Sequence, residues 1–129
     1  MTTALVCIAL LALLIFLLGL AVSLTRGSTK RSIGYSDDPA DRLHKLCRAH
    51  ANAAEYAPIL GLLMLILAMR EPAQWVLWTM ILATVFRYTH AAGMIVMPTL
   101  ARPNAVRFIG SLGTYVCGIL LAGALLVTV

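Results

Sequence analysis

Hydrophobic positions along the 129-residue chain gather into long blocks. Ala4 to Val22 holds no charged residue, and Phe108 to Val129 holds none either. A bilayer core about 30 Å thick needs about 20 apolar residues per helix, so both blocks are long enough to cross it. Ala57 to Met69 and Ala73 to Phe86 are apolar but shorter, and polar residues continue each of them on one side. They reach spanning length only if those polar ends also enter the membrane. The pattern therefore predicts four helices, over roughly 3–24, 41–69, 72–97 and 104–128, in a single domain covering 1–129. The fold class is all-α, an integral membrane four-helix bundle. The two-residue alternation of a membrane β-barrel is not seen.

Turn residues place the breaks. Thr25 to Ala40 collects Gly27, Ser28, Gly34, Ser36 and Pro39 with charge and little apolar periodicity, as a connector does. Asp37, Asp38 and Pro39 predict a helix start near Asp38, with acids at the positive end of the dipole and proline in the first turn. Arg70-Glu71-Pro72 predicts the opposite turn, with Pro72 in the first turn of the third helix and Trp75 and Trp78 in an interfacial aromatic belt. Pro98 and Pro103 end the third helix and open the fourth. Along the fourth, Gly110, Thr114, Gly118 and Ala122 recur every four residues, the small-residue spacing that lets helices approach closely in lipid.

Composition supports a membrane setting. With 61% hydrophobic residues and a mean hydropathy of +0.93, the chain has too much apolar surface for one small soluble core. The net charge of +5 does not point to nucleic acid, because the cations cluster beside spans instead of along a soluble face with aromatics between them. Arg26, Lys30, Arg31, Arg42, Lys45 and Arg48 lie between or just inside the first two spans, and Arg102 and Arg107 between the last two. The positive-inside rule makes both stretches cytoplasmic and leaves both termini on the far side of a multi-pass inner-membrane protein. The first block lacks a basic n-region and exceeds a signal peptide's apolar run, so it reads as a span. Cys7, Cys47 and Cys117 show neither C-x-x-C pairing nor metal-ligand spacing; they read as buried thiols, and no metal site is expected.

The second helix carries the chemistry. At 100° per residue, Asp41, Lys45, Arg48, Asn52, Glu55 and Tyr56 fall within about 100° of arc, a face that cannot look at lipid. The third helix brings Arg87, Tyr88 and His90 to the same depth. A charge at membrane depth costs about 2.5 kcal/mol or more without compensation, so Glu55 is expected to face Arg87. The remaining donors exceed what one carboxylate satisfies, which points to an anionic ligand entering from the cytoplasmic side. Pro58 frees the carbonyl of Ala54 beside that face.

The stretch Arg48-Ala-His-Ala-Asn52-Ala-Ala-Glu55-Tyr56-Ala-Pro58, with Arg87-x-x-His90-x-x-Gly93 downstream, resembles the signature of the MAPEG family, the membrane-associated proteins in eicosanoid and glutathione metabolism. Its bacterial inner-membrane branch is the most similar. The resemblance implies a homotrimer that binds glutathione as co-substrate between neighbouring subunits. It implies glutathione contacts at Arg48, Asn52, Glu55, Tyr56 and Tyr88, to which the polar face adds Lys45, Arg87 and His90. It implies catalytic arginines at Arg102 and Arg26. The tyrosine that the family's leukotriene synthases carry four residues after Tyr88 is Ala92 here.

Two functions follow as expectations. One is a membrane-bound glutathione transferase, or a lipid-hydroperoxide peroxidase, that takes hydrophobic small-molecule electrophiles from the bilayer. The other is a non-catalytic membrane scaffold or lipid/thiol-binding trimer. Transport is disfavoured, because four spans offer no broken helices or paired repeats.

Overall fold

The computed structural model of the chain describes residues 1–128. Its elements are four antiparallel helices: α1 (Thr2–Thr29), α2 (Arg42–Ala68), α3 (Gln74–Ile95) and α4 (Ala105–Leu126). Three of them, α1, α2 and α4, are long and apolar enough to cross a membrane. α3 matches α4 in length at 22 residues, about 33 Å. Its Arg87, Tyr88, His90 and threonines dilute the apolarity, and the helix sits in the middle of the bundle touching α1, α2 and α4.

The ends differ in detail from the pattern-based boundaries. α1 runs past its apolar block to Thr29 and closes at Lys30 in the left-handed region, φ 53°. Loss of apolarity at Ser23 does not end a helix when no proline intervenes. The start of α2 is set by Asp41, whose carboxylate accepts from the His44 N–H at 2.8 Å, and not by Asp38. Asp38 instead accepts from the Ala40 N–H at 2.9 Å in the turn before, a local competition typical of Asx residues. Pro72 likewise stands before α3, whose N-cap is Ala73. Asn104 caps α4 by accepting from the N–H groups of Val106 and Arg107.

α3 and α4 approach most closely. A Cβ on Gly110 would lie 2.4 Å from the His90 backbone nitrogen, and one on Gly93 would lie 2.7 Å from that of Arg107. Glycine is required at both. The buried row along α4 runs Gly110, Thr114, Cys117, Leu121 and Ala124, steps of four and three that stay on one side of a 3.6-residue helix. Strict steps of four drift away, so Gly118 and Ala122 turn toward a groove shared with Tyr56 and Ile59 of α2.

The interior holds two apolar clusters. One, around Leu11, Leu60, Met64, Met80 and Leu121, fills the half of the bundle near the chain termini. The other, around Leu14, Leu18, Ala53, Ala91 and Met94, lies toward the end where α1 finishes and α2 begins. That end, hereafter the basic end, carries both long loops, which are tied together by the Leu100 N–H donating to the Pro39 carbonyl at 3.0 Å. Trp75 and Trp78 lie exposed at the opposite end, where an interfacial belt belongs. Cys7 and Cys117 are buried as expected, and Cys47 is half-buried.

Candidate functional site

A cavity of ≈ 500 Å³ opens at the basic end, lined by Asp37, Pro39, His44, Arg48, Asn52, His90, Met94, Leu100, Ala101 and Arg107. Three helices and both loops contribute to it. α2 supplies Arg48 and Asn52 one turn apart, α3 supplies His90, and the first turn of α4 supplies Arg107. The pairing of Leu100 with Pro39 brings the two loops over the mouth.

Behind this wall lies Arg87, a fully buried guanidinium at 1% exposure. Its Nη2 donates to the Asn52 side-chain Oδ1 at 2.7 Å and to the Asn52 carbonyl at 3.3 Å. The guanidinium carbon stands 5.1 Å from the centroid of the Tyr56 ring, a cation–π contact. Tyr56 in turn packs on Tyr115 of α4, with ring centroids 5.7 Å apart. The expected pair of Glu55 with Arg87 is not formed. Among the described residues Arg87 has no carboxylate partner and its Nε has no hydrogen bond, while Glu55 is exposed on the outer face of α2. One turn of helix explains the exchange: Asn52 precedes Glu55 by three residues, about 60° around the axis toward α3.

Two neutral side chains have their chemistry fixed by these contacts. Arginine has only donors, so the Asn52 oxygen must face Arg87 and the Asn52 amide nitrogen is left for the cavity. His90 Nδ1 lies 2.9 Å from the Arg107 carbonyl. A carbonyl only accepts, so Nδ1 carries the proton and the neutral ring keeps Nε2 as an acceptor. Arg107 itself is held by Nη1 donating to the Leu100 carbonyl at 3.1 Å.

The structure brings Arg48, Asn52 and His90 together and places Arg87 and Tyr56 as their support. It disperses the others. Tyr88 donates its hydroxyl to the Leu10 carbonyl of α1 at 2.8 Å, because it lies about 100° around α3 from Arg87. Lys45 donates to the Met97 carbonyl at 2.9 Å, which occupies it at the end of α3. Arg102 is exposed on the α3–α4 loop. Arg26 lines a separate cavity, with Nη1 on the Ser32 carbonyl at 2.9 Å. The sequence reading missed Asp37, His44 and Arg107 as lining residues. Arg107 carried a usable signal, since a cation three residues after an Asn cap sits in the first turn of a helix and faces its neighbour's last turn.

Among the described residues no cluster of His, Cys, Asp and Glu could hold a metal ion. No curated protein and no solved structure matches the chain. The model of one family, however, matches residues 4–127 of the 129. The chain thus belongs to the MAPEG family, the membrane proteins of glutathione and eicosanoid metabolism.

Proposed function

We propose that the protein is a membrane-bound glutathione transferase that conjugates glutathione to apolar electrophiles, or uses it to reduce lipid hydroperoxides. One observation carries the reading: the cavity sets two guanidinium groups, Arg48 and Arg107, against a single lining carboxylate, Asp37. Glutathione has two carboxylates and one ammonium, and this charge pattern is its complement. Asn52 offers an amide donor and His90 an acceptor to the peptide between them. A guanidinium held near the sulfur favours the thiolate, which is the nucleophile, without needing a protein base. Arg48 and Arg107 are the cavity-lining cations available for that role, since Arg26 lines a separate cavity and Arg102 is exposed on the α3–α4 loop.

The electrophile enters from lipid. The groove between α2 and α4, ≈ 440 Å³ and almost wholly apolar, begins at Tyr56 and Tyr115, one layer below Asn52 and Arg87. Glu55 is exposed on the outer face of α2, and charge at that depth is costly against acyl chains. Copies packed on that face, as a homotrimer, would cover it. All ten Lys and Arg residues except Arg70 and Arg87 gather at the basic end, which supports a cytoplasmic basic end in the inner membrane, with glutathione arriving from that side.

Titration of the purified protein with millimolar glutathione tests the reading: thiolate absorbance and a rise in melting temperature are expected, and the absence of both refutes it. That Arg26 and Arg102 stand outside the cavity favours a second reading, a non-catalytic scaffold or lipid/thiol-binding trimer. Native mass spectrometry separates the two, since retained lipid with no exchange of glutathione belongs to the second.

A further inference from the structure

The end of α1 and the loop that follows it enclose a second cavity of ≈ 410 Å³, lined by Arg26, Gly27, Lys30, Arg31 and Ser32. It shares no lining residue with the glutathione cavity. The left-handed turn at Lys30 builds it: the Lys30 and Arg31 N–H groups return to the carbonyls of Gly27 and Arg26 at 3.4 and 3.1 Å. The Arg26 guanidinium then holds the Ser32 carbonyl at 2.9 Å, so the chain folds back over the helix end. Arg26 is occupied further by Nη2 lying 3.9 Å from the Cys47 sulfur. Lys30 and Arg31 are exposed, and no acidic residue lines the cavity.

Gly27 shapes the floor. A Cβ there would meet nothing within 4 Å, so the ring of cations has a notch in it. Below the notch, α1 shows lipid a ridge of large apolar side chains, Phe16, Leu20 and Leu24, at 76%, 55% and 66% exposure. These three and Gly27 fall within about 80° of arc, and the ridge starts about 16 Å along the axis from the notch. A long apolar ridge therefore leads straight into a cationic pocket at headgroup depth.

We infer that this is a binding site for an anionic phospholipid of the leaflet at the basic end. Its phosphate sits in the Gly27 notch between Lys30 and Arg31, and one acyl chain lies along Phe16, Leu20 and Leu24. The carbonyls at the end of α1 account for one nearby cation through the helix dipole, and Arg26 is spoken for by Ser32. Neither accounts for Lys30 and Arg31, whose nearest acids along the chain are Asp37 and Asp38, six and seven residues beyond Arg31. A zwitterionic headgroup brings its own cation into the same space and gains less from Lys30 and Arg31 than an anionic one does.

The test is native mass spectrometry of the full chain extracted with equal phosphatidylglycerol and phosphatidylcholine. The wild type retains phosphatidylglycerol in preference. The K30Q/R31Q double variant loses about 25-fold of that preference, at about fivefold per basic residue near the surface. Gly27→Leu keeps every charge and fills the notch; leucine suits a helix better than glycine, so α1 survives the change. It loses the retained lipid as well. Equal retention of both lipids by the wild type overturns the site, and so does wild-type retention by Gly27→Leu, which reduces the effect to diffuse attraction. The glutathione-induced thermal shift is unchanged in both variants, which separates this outcome from any failure at the other cavity.

Discussion

The Arg87–Asn52 contact allows an exchange of residues at position 52 that separates folding from binding. Asn52→Leu removes the Oδ1 acceptor 2.7 Å from a guanidinium that is 1% exposed. A hydrogen bond to a charged group contributes about 1.5–3 kcal/mol, and stripping a buried charge of its partner costs about 3–5 kcal/mol. The Asn52 carbonyl at 3.3 Å and the Tyr56 ring at 5.1 Å stay in place, so the lower end, about 2–3 kcal/mol, is expected. For a domain of this size that is a fall of about 10 °C in melting temperature. Asn52→Asp puts a carboxylate where the amide oxygen was and should hold the melting temperature within about 4 °C, equivalent to about 1 kcal/mol. Both variants lack the amide nitrogen that faces the cavity, so both lose glutathione affinity. Thermal melts in detergent with and without glutathione read both effects. Asn52→Leu melting with the wild type would show that the Arg87 charge is met elsewhere, and Asn52→Asp binding glutathione normally would show that the amide donor has no part in recognition.

Gly110→Ala sets a methyl group 2.4 Å from the His90 nitrogen; α3 and α4 must part, at about 3 kcal/mol, and a melt of the purified variant measures it. Arg48→Ala removes an exposed cation that lines the cavity, so isothermal titration should show glutathione binding lost while size-exclusion with light scattering shows the assembly intact. Glu55→Gln leaves Arg87 with its Asn52 contacts and so keeps the protomer's fold; its expected effect is on association of copies, seen as a lower oligomer mass at matched concentration.

The helices and the polar face of α2 were legible because period and length are one-dimensional properties. Where partners were involved, the sequence was a poorer guide, for a physical reason in each case. Glu55 looked like the partner of Arg87 because opposite charges at one depth attract, yet a helix offers several residues at one depth, and 60° of rotation chose Asn52. Spacing and depth put Lys45 and Tyr88 with the ligand-facing residues, but both end on backbone carbonyls, of Met97 and Leu10. Carbonyls leave no mark in a sequence. Arg107 went unrecognised because the same stretch of cations also satisfies the positive-inside pattern, and nothing in spacing alone tells a topogenic arginine from one that lines a cavity.

The absence of side chains between Gly93 and Arg107, and between Gly110 and His90, has a mechanical consequence. Backbones in direct contact leave no layer of rotamers to shear, so α3 and α4 form one stiff plate that carries His90 and Arg107 at fixed separation. Arg48 and Asn52 ride on the other plate, the α1–α2 hairpin. Any widening of the cavity is then a relative tilt of the two plates, restrained at the mouth by the bond from Leu100 to Pro39 and at depth by the Arg87–Asn52 contact.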